Sequence, residues 1–486
     1  MQKLIDLLKD VKYSLVGQGN DKPVSGLTAD SRKAKAGFLF AAIPGSEADG
    51  HDFIPQAIEL GALHILLEKM PENPDSKVNY IQVKNASEAL ALISSAFYDY
   101  PSQKLIMTGV TGTNGKTTIV TILYKLFSMA GFKSGLISTI RIMILDKVVN
   151  ATHTTPDCIR LNEILREMVD AGCTHCFMEV SSHSLVQHRV SGIKFQAGIF
   201  TNLTKDHLDY HKTFKNYIDV KKSFFDDLKK GSFAIINSDD KHHKYLVQNT
   251  NAEVSSYGLM NPSDFKAKIL ESSITGLHLS FNGKDFFSDK AGMFNAYNLL
   301  AVYATAVKLG IDKDNALSML SSSIPVDGRF EIFVNKEKNI TGIIDYAHTP
   351  DALENVLKTI KKCKKKEQRI ITVFGCGGNR YKGKRPTMGK IAATYSDFVF
   401  ITSDNPRFEE PISIIQDILK GINESSMLKV ITITDRELAI RGAFSFSQPN
   451  DIILVAGKGH ETYQDIKGVK SDFDDRKIVK KYLTAL

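Results

Sequence analysis

The stretch 109-GVTGTNGKTT-118 decides the reading of this chain. It follows the apolar run Leu105–Met107 and precedes "TIVTILYKLFSMAGF", whose apolar residues recur at helical spacing. A strand, a glycine-rich loop and a helix in that order describe a phosphate-binding loop. Gly112 and Gly115 let backbone N–H groups of Thr113 and Asn114 approach phosphate oxygens. Lys116 supplies a cation, the Thr117 hydroxyl can reach magnesium, and Thr118 continues into the helix, whose N-terminus favours anions. The register is unusual: the common pattern has glycine six positions before the lysine, where Val110 stands here.

Outward from this loop the same grammar repeats. A short β-rich run ends in a polar, glycine-rich or acidic stretch in "CFMEVSSH", "AGIFTNLTKDH", "GIIDYAHTP", "IITVFGCGGNR", "FVFITSDNPR" and "IILVAGKGHE". Helical segments separate these runs, so the spacing predicts parallel strands with helical crossovers. Ligands of such sheets sit beyond the strands' carboxyl ends. At 486 residues the chain has room for about three domains. The fold expectation is an α/β chain of three domains: an N-terminal α/β domain (1–99), a central phosphate-loop ATPase domain with a parallel sheet (100–332), and a C-terminal Rossmann-like domain (333–486). Proline in "YDYPSQK" (98–104) suggests the first linker, and the polar "DGRFEIFVNKEKN" the second.

Composition excludes several classes. No apolar run is long enough for a membrane span, and "MQKLIDLLKDVKYSL" reads as an amphipathic helix rather than a signal peptide. A cytoplasmic protein is expected. Five scattered cysteines argue against a disulfide framework, and "CTHC" (173–176) lacks the second pair that zinc spacing requires. The net charge of +8 is dispersed, with one cluster, "KKCKKK" (361–366), that reads as the solvated end of a helix. Such a balance suits polyanionic small substrates and gives no nucleic-acid surface.

At the other strand ends, Glu179 and His207 (beside Asp206) are candidates for holding Mg2+ with Thr117 and nucleotide oxygens. The ordered strings "GVTGTNGKTT", "MEVSSHSL", "FTNLTKDHLDYH", "GMFNAYN", "DYAHTPDALE" and "SDNPR" together resemble the Mur ligase family of bacterial cell-wall synthesis. The likeness runs from "DSR" near residue 31 to "GKGHE" near 460, and the shortened loop is a feature of that family.

The resemblance implies an ATP-dependent amide ligase. A carboxylate is activated as an acyl phosphate and an amino group then displaces phosphate. Lys116 and Mg2+ would screen the approaching anions. Glu179 and His207 would complete the catalytic and metal set with a lysine carbamylated by CO2. "YIDVKKSFF" matches that position with Lys221; Lys222 is adjacent, so the match is ambiguous by one residue. Asn298, Arg329, Asp345 and His348 correspond to ATP contacts; Asn295 nearby also reads as a helix cap. Ser31, Thr154, Thr155, Ser181, Gln187 and Arg189 correspond to positions that hold the UDP-N-acetylmuramoyl peptide. Arg380, Asp404, Asn405, Pro406, Arg407, Gly457 and Glu461 correspond to contacts with the incoming amino acid.

The string Asp-Asn-Pro-Arg resembles members that add meso-diaminopimelate to UDP-N-acetylmuramoyl-L-alanyl-D-glutamate. Arg407 offers a planar fork for the distal carboxylate, which lysine lacks, and Glu461 could accept from the distal ammonium. Asn379 and Tyr381 stand where the family commonly has aspartates beside Arg380. The competing readings are the same reaction with L-lysine, a folylpolyglutamate-synthetase-like ligase, and a regulatory phosphate-loop NTPase. A monomer is expected.

Overall fold

The computed structural model describes residues 2–17, 23–45, 48–151 and 153–485. Each of its three large sheets is α/β and mostly parallel. The first has five strands in the order Ser14–Val16, Asn79–Gln82, His64–Leu67, Phe38–Ala41 and Gly26–Thr28; only the Ser14–Val16 edge is antiparallel. The amphipathic helix expected at the start is short. Leu4–Leu7 forms a single turn, and the chain then adds the edge strand. Leu4, Leu7 and Leu8 are buried under this sheet, so the apolar spacing read as helix serves a compact corner.

The central sheet has eleven strands. Seven adjoin in parallel: Ser134–Ile137, His175–Glu179, Ile106–Thr111, Ala197–Phe200, Phe233–Asn237, Glu253–Gly258 and Phe265–Ser273. Antiparallel additions extend both ends. Helices Lys116–Met129 and Met293–Lys308 cover one face and Cys158–Asp170 and Phe214–Asp226 the other. The phosphate loop leaves the middle of this sheet, so its position is fixed by hydrophobic packing on both faces.

The third sheet has six strands in the order Glu331–Asn335, Ile340–Asp345, Ile452–Ala456, Ile370–Phe374, Phe398–Ile401 and Val430–Thr432, with the first antiparallel. The last parallel strand in sequence lies between the first two. That order brings the ends of Ile340–Asp345, Ile370–Phe374, Phe398–Ile401 and Ile452–Ala456 side by side. All seven β-rich runs of the sequence are strands of the central or third sheet. Among the described residues no helix is long and apolar enough to cross a membrane. All five cysteines are free; Cys173 precedes the strand that contains Cys176.

Candidate active site

The phosphate loop is shaped by close approach. Gly112 has φ +144°, and a Cβ there would lie 1.9 Å from Thr201 Oγ1. A Cβ on Gly115 (φ +92°) would lie 2.5 Å from Asn298 Oδ1. The loop is braced by Asn202, whose Oδ1 accepts from Asn114 N at 3.0 Å. Lys116 Nζ donates to the carbonyls of Gly112 and Thr113, both at 2.9 Å.

Behind the loop, the ambiguous pair of lysines separates. Lys221 is 1% exposed, and its Nζ donates to Gly112 O at 3.1 Å and Thr111 Oγ1 at 3.3 Å. Lys222 faces away and pairs with Asp226 at 2.7 Å. Burial, then the neighbouring Lys116 charge, pulls the Lys221 amine well below its ordinary range.

Glu179, at the end of its strand, gathers three donors. Its Oε1 accepts from Thr117 Oγ1 at 2.9 Å and Thr139 N at 2.8 Å, and its Oε2 from Thr139 Oγ1 at 3.2 Å. His207 adopts φ +53° beside Asp206, with Nε2 3.4 Å from Oδ2. Burial lowers its pKa to about 3, leaving a neutral imidazole at pH 7. Arg329 reaches Thr117 Oγ1 at 3.2 Å and lies over the Tyr346 ring at 4.4 Å. Burial raises Asp345 to about 6 and lowers His348 to about 4. Asn114 Nδ2 donates to Asp351 Oδ2 at 2.7 Å, joining the loop to the third sheet's first helix.

The sugar-peptide candidates form one chain of contacts. Thr139 Oγ1 donates to Thr154 Oγ1 at 3.0 Å, Thr155 Oγ1 donates to Glu179 O at 2.8 Å, and Ser181 N donates to Thr155 Oγ1 at 3.3 Å. Arg189 donates to Thr155 O at 2.7 Å and to Gln187 Oε1.

At the third sheet, Arg407 holds φ +52°. Its N–H donates to Asp465 O at 3.0 Å, its carbonyl accepts from Lys467 N at 2.7 Å, and Nη1 donates to Gly378 O at 2.8 Å. A hairpin, Tyr463–Ile466 with Val469–Asp472, thus fixes a backbone conformation that a non-glycine residue rarely adopts. A Cβ on Gly457 would lie 2.6 Å from Asp404 Oδ2. Asn379, departing from the family pattern, uses its backbone N–H on Glu409 at 2.6 Å and its Oδ1 on Phe408 N. Glu409 also pairs with Arg385.

One cavity of about 1520 Å³ joins these groups. Thr113 through Thr118, Glu179, His207, Asn298, Arg329, Asp345 and His348 line it. So do Thr154, Thr155, Ser181 and Arg189, and Arg380, Asp404, Asn405, Arg407, Gly457 and Glu461. Gly112 and Lys221 lie behind its wall, Gln187 touches it through Arg189, and Pro406 shapes the turn before Arg407. Ser31 stands apart: its hydroxyl donates to Gln56 Oε1 at 2.7 Å within the first sheet's layer. Asn295 does not cap its helix. Gly292 is the N-cap, and Asn295 Nδ2 donates to Ala291 O and its Oδ1 accepts from Asn298.

Three family profiles match in order along the chain: "Mur ligase family, catalytic domain" over residues 23–98, "Mur ligase middle domain" over 110–306, and "Mur ligase, glutamate ligase domain" over 328–459. The chain belongs to the Mur ligase family. A UDP-N-acetylmuramoyl-L-alanyl-D-glutamate--2,6-diaminopimelate ligase of Cytophaga hutchinsonii is 52% identical over 482 residues, 99% of each chain. One of the same name from Bacteroides thetaiotaomicron is 50% identical over 477 residues, 98% of this chain and 99% of the relative. A solved structure with that name is 30% identical with a TM-score of 0.70, covering 100% of this chain and 99% of the other.

Several cavity residues of this Mur ligase escaped the sequence reading. Thr139, which binds Glu179, follows the strand Ser134–Ile137, so the strand-end rule could have found it. Arg141 pairs with Asp327, and Arg476 with Asp474 at 2.9 Å; both arginines line the cavity. No local pattern marks either one.

Proposed function

We propose that this Mur ligase joins meso-diaminopimelate to UDP-N-acetylmuramoyl-L-alanyl-D-glutamate at the expense of ATP. The observation that carries the reading is the single cavity shared by the phosphate loop, the Thr154–Arg189 contacts and the Arg407–Glu461 pocket. Full-length identity near 50% to relatives with that name supports the same substrates. Residues 1–99 would take the uridine end with Ser31, 100–332 the ATP, and 333–486 the amino acid. The groups the reaction needs come from one chain, which favours a monomer. Nucleotide-linked substrates and ATP make it a cytoplasmic enzyme.

The chemistry follows from charge. A γ-glutamyl carboxylate oxygen attacks the γ-phosphorus; the P–O bond to ADP breaks and ADP leaves with the electron pair. The amino group, after losing a proton to solvent or a nearby base, attacks the acyl carbon, the C–N bond forms, and inorganic phosphate departs. Lys116, Arg329 and the helix N-terminus at Gly115–Thr118 face the developing charge of the first step, whereas the N–H groups of Thr113 and Asn114, expected to meet phosphate, donate to Asn202 at 2.8 and 3.0 Å. Thr154, Thr155, Ser181 and Arg189 orient the acid, which raises its effective concentration. Arg407 binds the distal carboxylate and Glu461 the distal ammonium, and that end holds the reacting amine in place.

The donor set fits Mg2+. Thr117 supplies a hydroxyl, Glu179 a carboxylate, and His207 a neutral ring. Among the described residues no cluster of three or more His, Cys, Asp or Glu side chains is arranged to hold a metal alone. Two or three protein ligands with phosphate oxygens and waters suit this ion, which when bound neutralises phosphate charge. A carbamate on Lys221 would turn a buried amine into an oxygen donor on the loop side. Its depressed basicity leaves the free amine that addition to CO2 requires.

Phosphate release measured with purified substrates tests the proposal. Release should require ATP, the sugar-peptide and meso-diaminopimelate together. Release without the sugar-peptide or the amino acid would reject it.

A further inference from the structure

Lys458 lies between Gly457 and Glu461 on the turn after strand Ile452–Ala456 and is 0% exposed. Its Nζ donates to Asn405 Oδ1 at 3.0 Å and to Glu461 Oε2 at 3.1 Å. Asn405 Nδ2 donates to the same Oε2 at 2.7 Å. Glu461 therefore has one oxygen fully engaged, while Oε1 makes no hydrogen bond among the described residues and the side chain lines the cavity. Asn405 Oδ1 also accepts from Asp465 N at 3.0 Å, which ties this group to the hairpin that fixes Arg407.

We infer that Lys458 is a positioning residue for amino-acid selection: by holding Glu461 Oε2 together with Asn405, it aims the free oxygen of Glu461 at the incoming distal ammonium. The inference rests on the ligase reading above.

The surroundings show why such a cation is needed. Burial and the nearby Asp404 carboxylate both push Glu461 towards its protonated form and leave its pKa raised; Lys458 and the Asn405 amide oppose them and limit the rise. The other groups facing Glu461 do not replace Lys458. Arg436 is committed to Asp475 at 2.7 and 2.9 Å, and the phenols of Tyr346 and Tyr463 carry no positive charge. A neutral Glu461 would lose the charge-assisted bond to an ammonium. The pocket would then keep Arg407 for the carboxylate and lose the partner for the amine.

The experiment is the pH dependence of KM for meso-diaminopimelate in the full chain. It compares the wild type, Lys458→Met and Glu461→Gln from about pH 5.5 to about pH 7, below the range in which the substrate's own α-amino groups titrate. Wild-type KM should vary less with pH than that of Lys458→Met. Lys458→Met should raise it about tenfold at the acid end, with the gap closing towards the alkaline end as Glu461 ionises, since one pKa unit is about tenfold in protonation. KM for ATP should not move. Glu461→Gln should raise KM for the amino acid by the same factor at every pH. A KM for Lys458→Met that matches the wild type throughout, or a rise that appears equally in KM for ATP, would reduce Lys458 to packing and overturn the inference. Where Lys458→Met fails to melt cooperatively, Lys458→Arg supplies the second test: a KM for meso-diaminopimelate close to wild type supports a cation that holds Glu461, and a rise as large as that of Glu461→Gln overturns it. A wild-type chain that never uses meso-diaminopimelate would instead reject the ligase reading itself.

Discussion

At the phosphate-loop end of the cavity, Lys116 rests on the carbonyls of Gly112 and Thr113, and Lys221 on Gly112 and Thr111. Among the described residues neither lysine is hydrogen-bonded to a carboxylate. At the amino-acid end, Glu461 is held by Lys458 and Asn405 before any ligand arrives, and Arg407 by Gly378 and the hairpin. The first end gathers two buried lysine amines on backbone carbonyls around the loop, an arrangement that a polyanion completes. The second is balanced and fastened, so it discriminates by geometry rather than by charge excess. On the proposed reading, one cavity would separate the driving of the reaction from the choice of substrate.

The largest expected effect lies at the first end. Lys116→Ala should lower kcat for phosphate release about 10³-fold or more, because a preorganised cation at the transferring phosphoryl group is removed. A fall of less than about tenfold would make the two ends alike. Next, Lys221→Arg keeps a basic side chain of similar length but cannot form the carbamate; kcat should fall about 10²-fold, whereas Lys222→Met should stay within about twofold. Equal losses would erase the distinction between the lysine that meets the loop and the one paired with Asp226.

At the second end, Arg407→Ala should raise KM for meso-diaminopimelate about 10- to 100-fold, the range for a lost charge-assisted bond, with KM for ATP nearly unchanged. A matching rise in KM for ATP would show that the two ends are not separable.

The smallest effect concerns stability. Asp345 has its folded pKa raised from 3.8 to about 6 by burial. A raised pKa adds stability that is fully present below the unfolded value and is lost as pH rises through about 6. Asp345→Asn should therefore stabilise the ligand-free chain at pH 7.5 relative to pH 5, by about 1–3 kcal/mol in denaturant melts. The opposite sign would mean that Arg329 outweighs burial at this junction.

Much of this was legible in the sequence because backbone geometry leaves marks. Gly112 and Gly115 are required by close approach, and the seven β-rich runs by burial of a parallel sheet on both faces. The side-chain direction of Lys221 was not legible. Adjacent helix residues point about 100° apart, and only the packing of Phe214–Asp226 shows which lysine meets the loop. Nor was the early end of the first helix, where Leu4 and Leu7 fit a helical period and a corner equally well. Lys458 stood in a quoted motif, yet its role depends on Asn405, whose distance in the chain no periodicity encodes. Arg141, Asp327 and Arg476 are joined across sheets in the same way. Asn379 shows the reverse: a departure from family pattern that the fold absorbs through backbone contacts to Glu409.

The most direct test is a crystal structure of the chain with meso-diaminopimelate and a non-hydrolysable ATP analogue. The account predicts the distal carboxylate on the Arg407 guanidinium, the distal ammonium on Glu461, and the triphosphate on residues 112–118. A diamino acid bound with its distal carboxylate away from Arg407, and that guanidinium still on Gly378 alone, would contradict it.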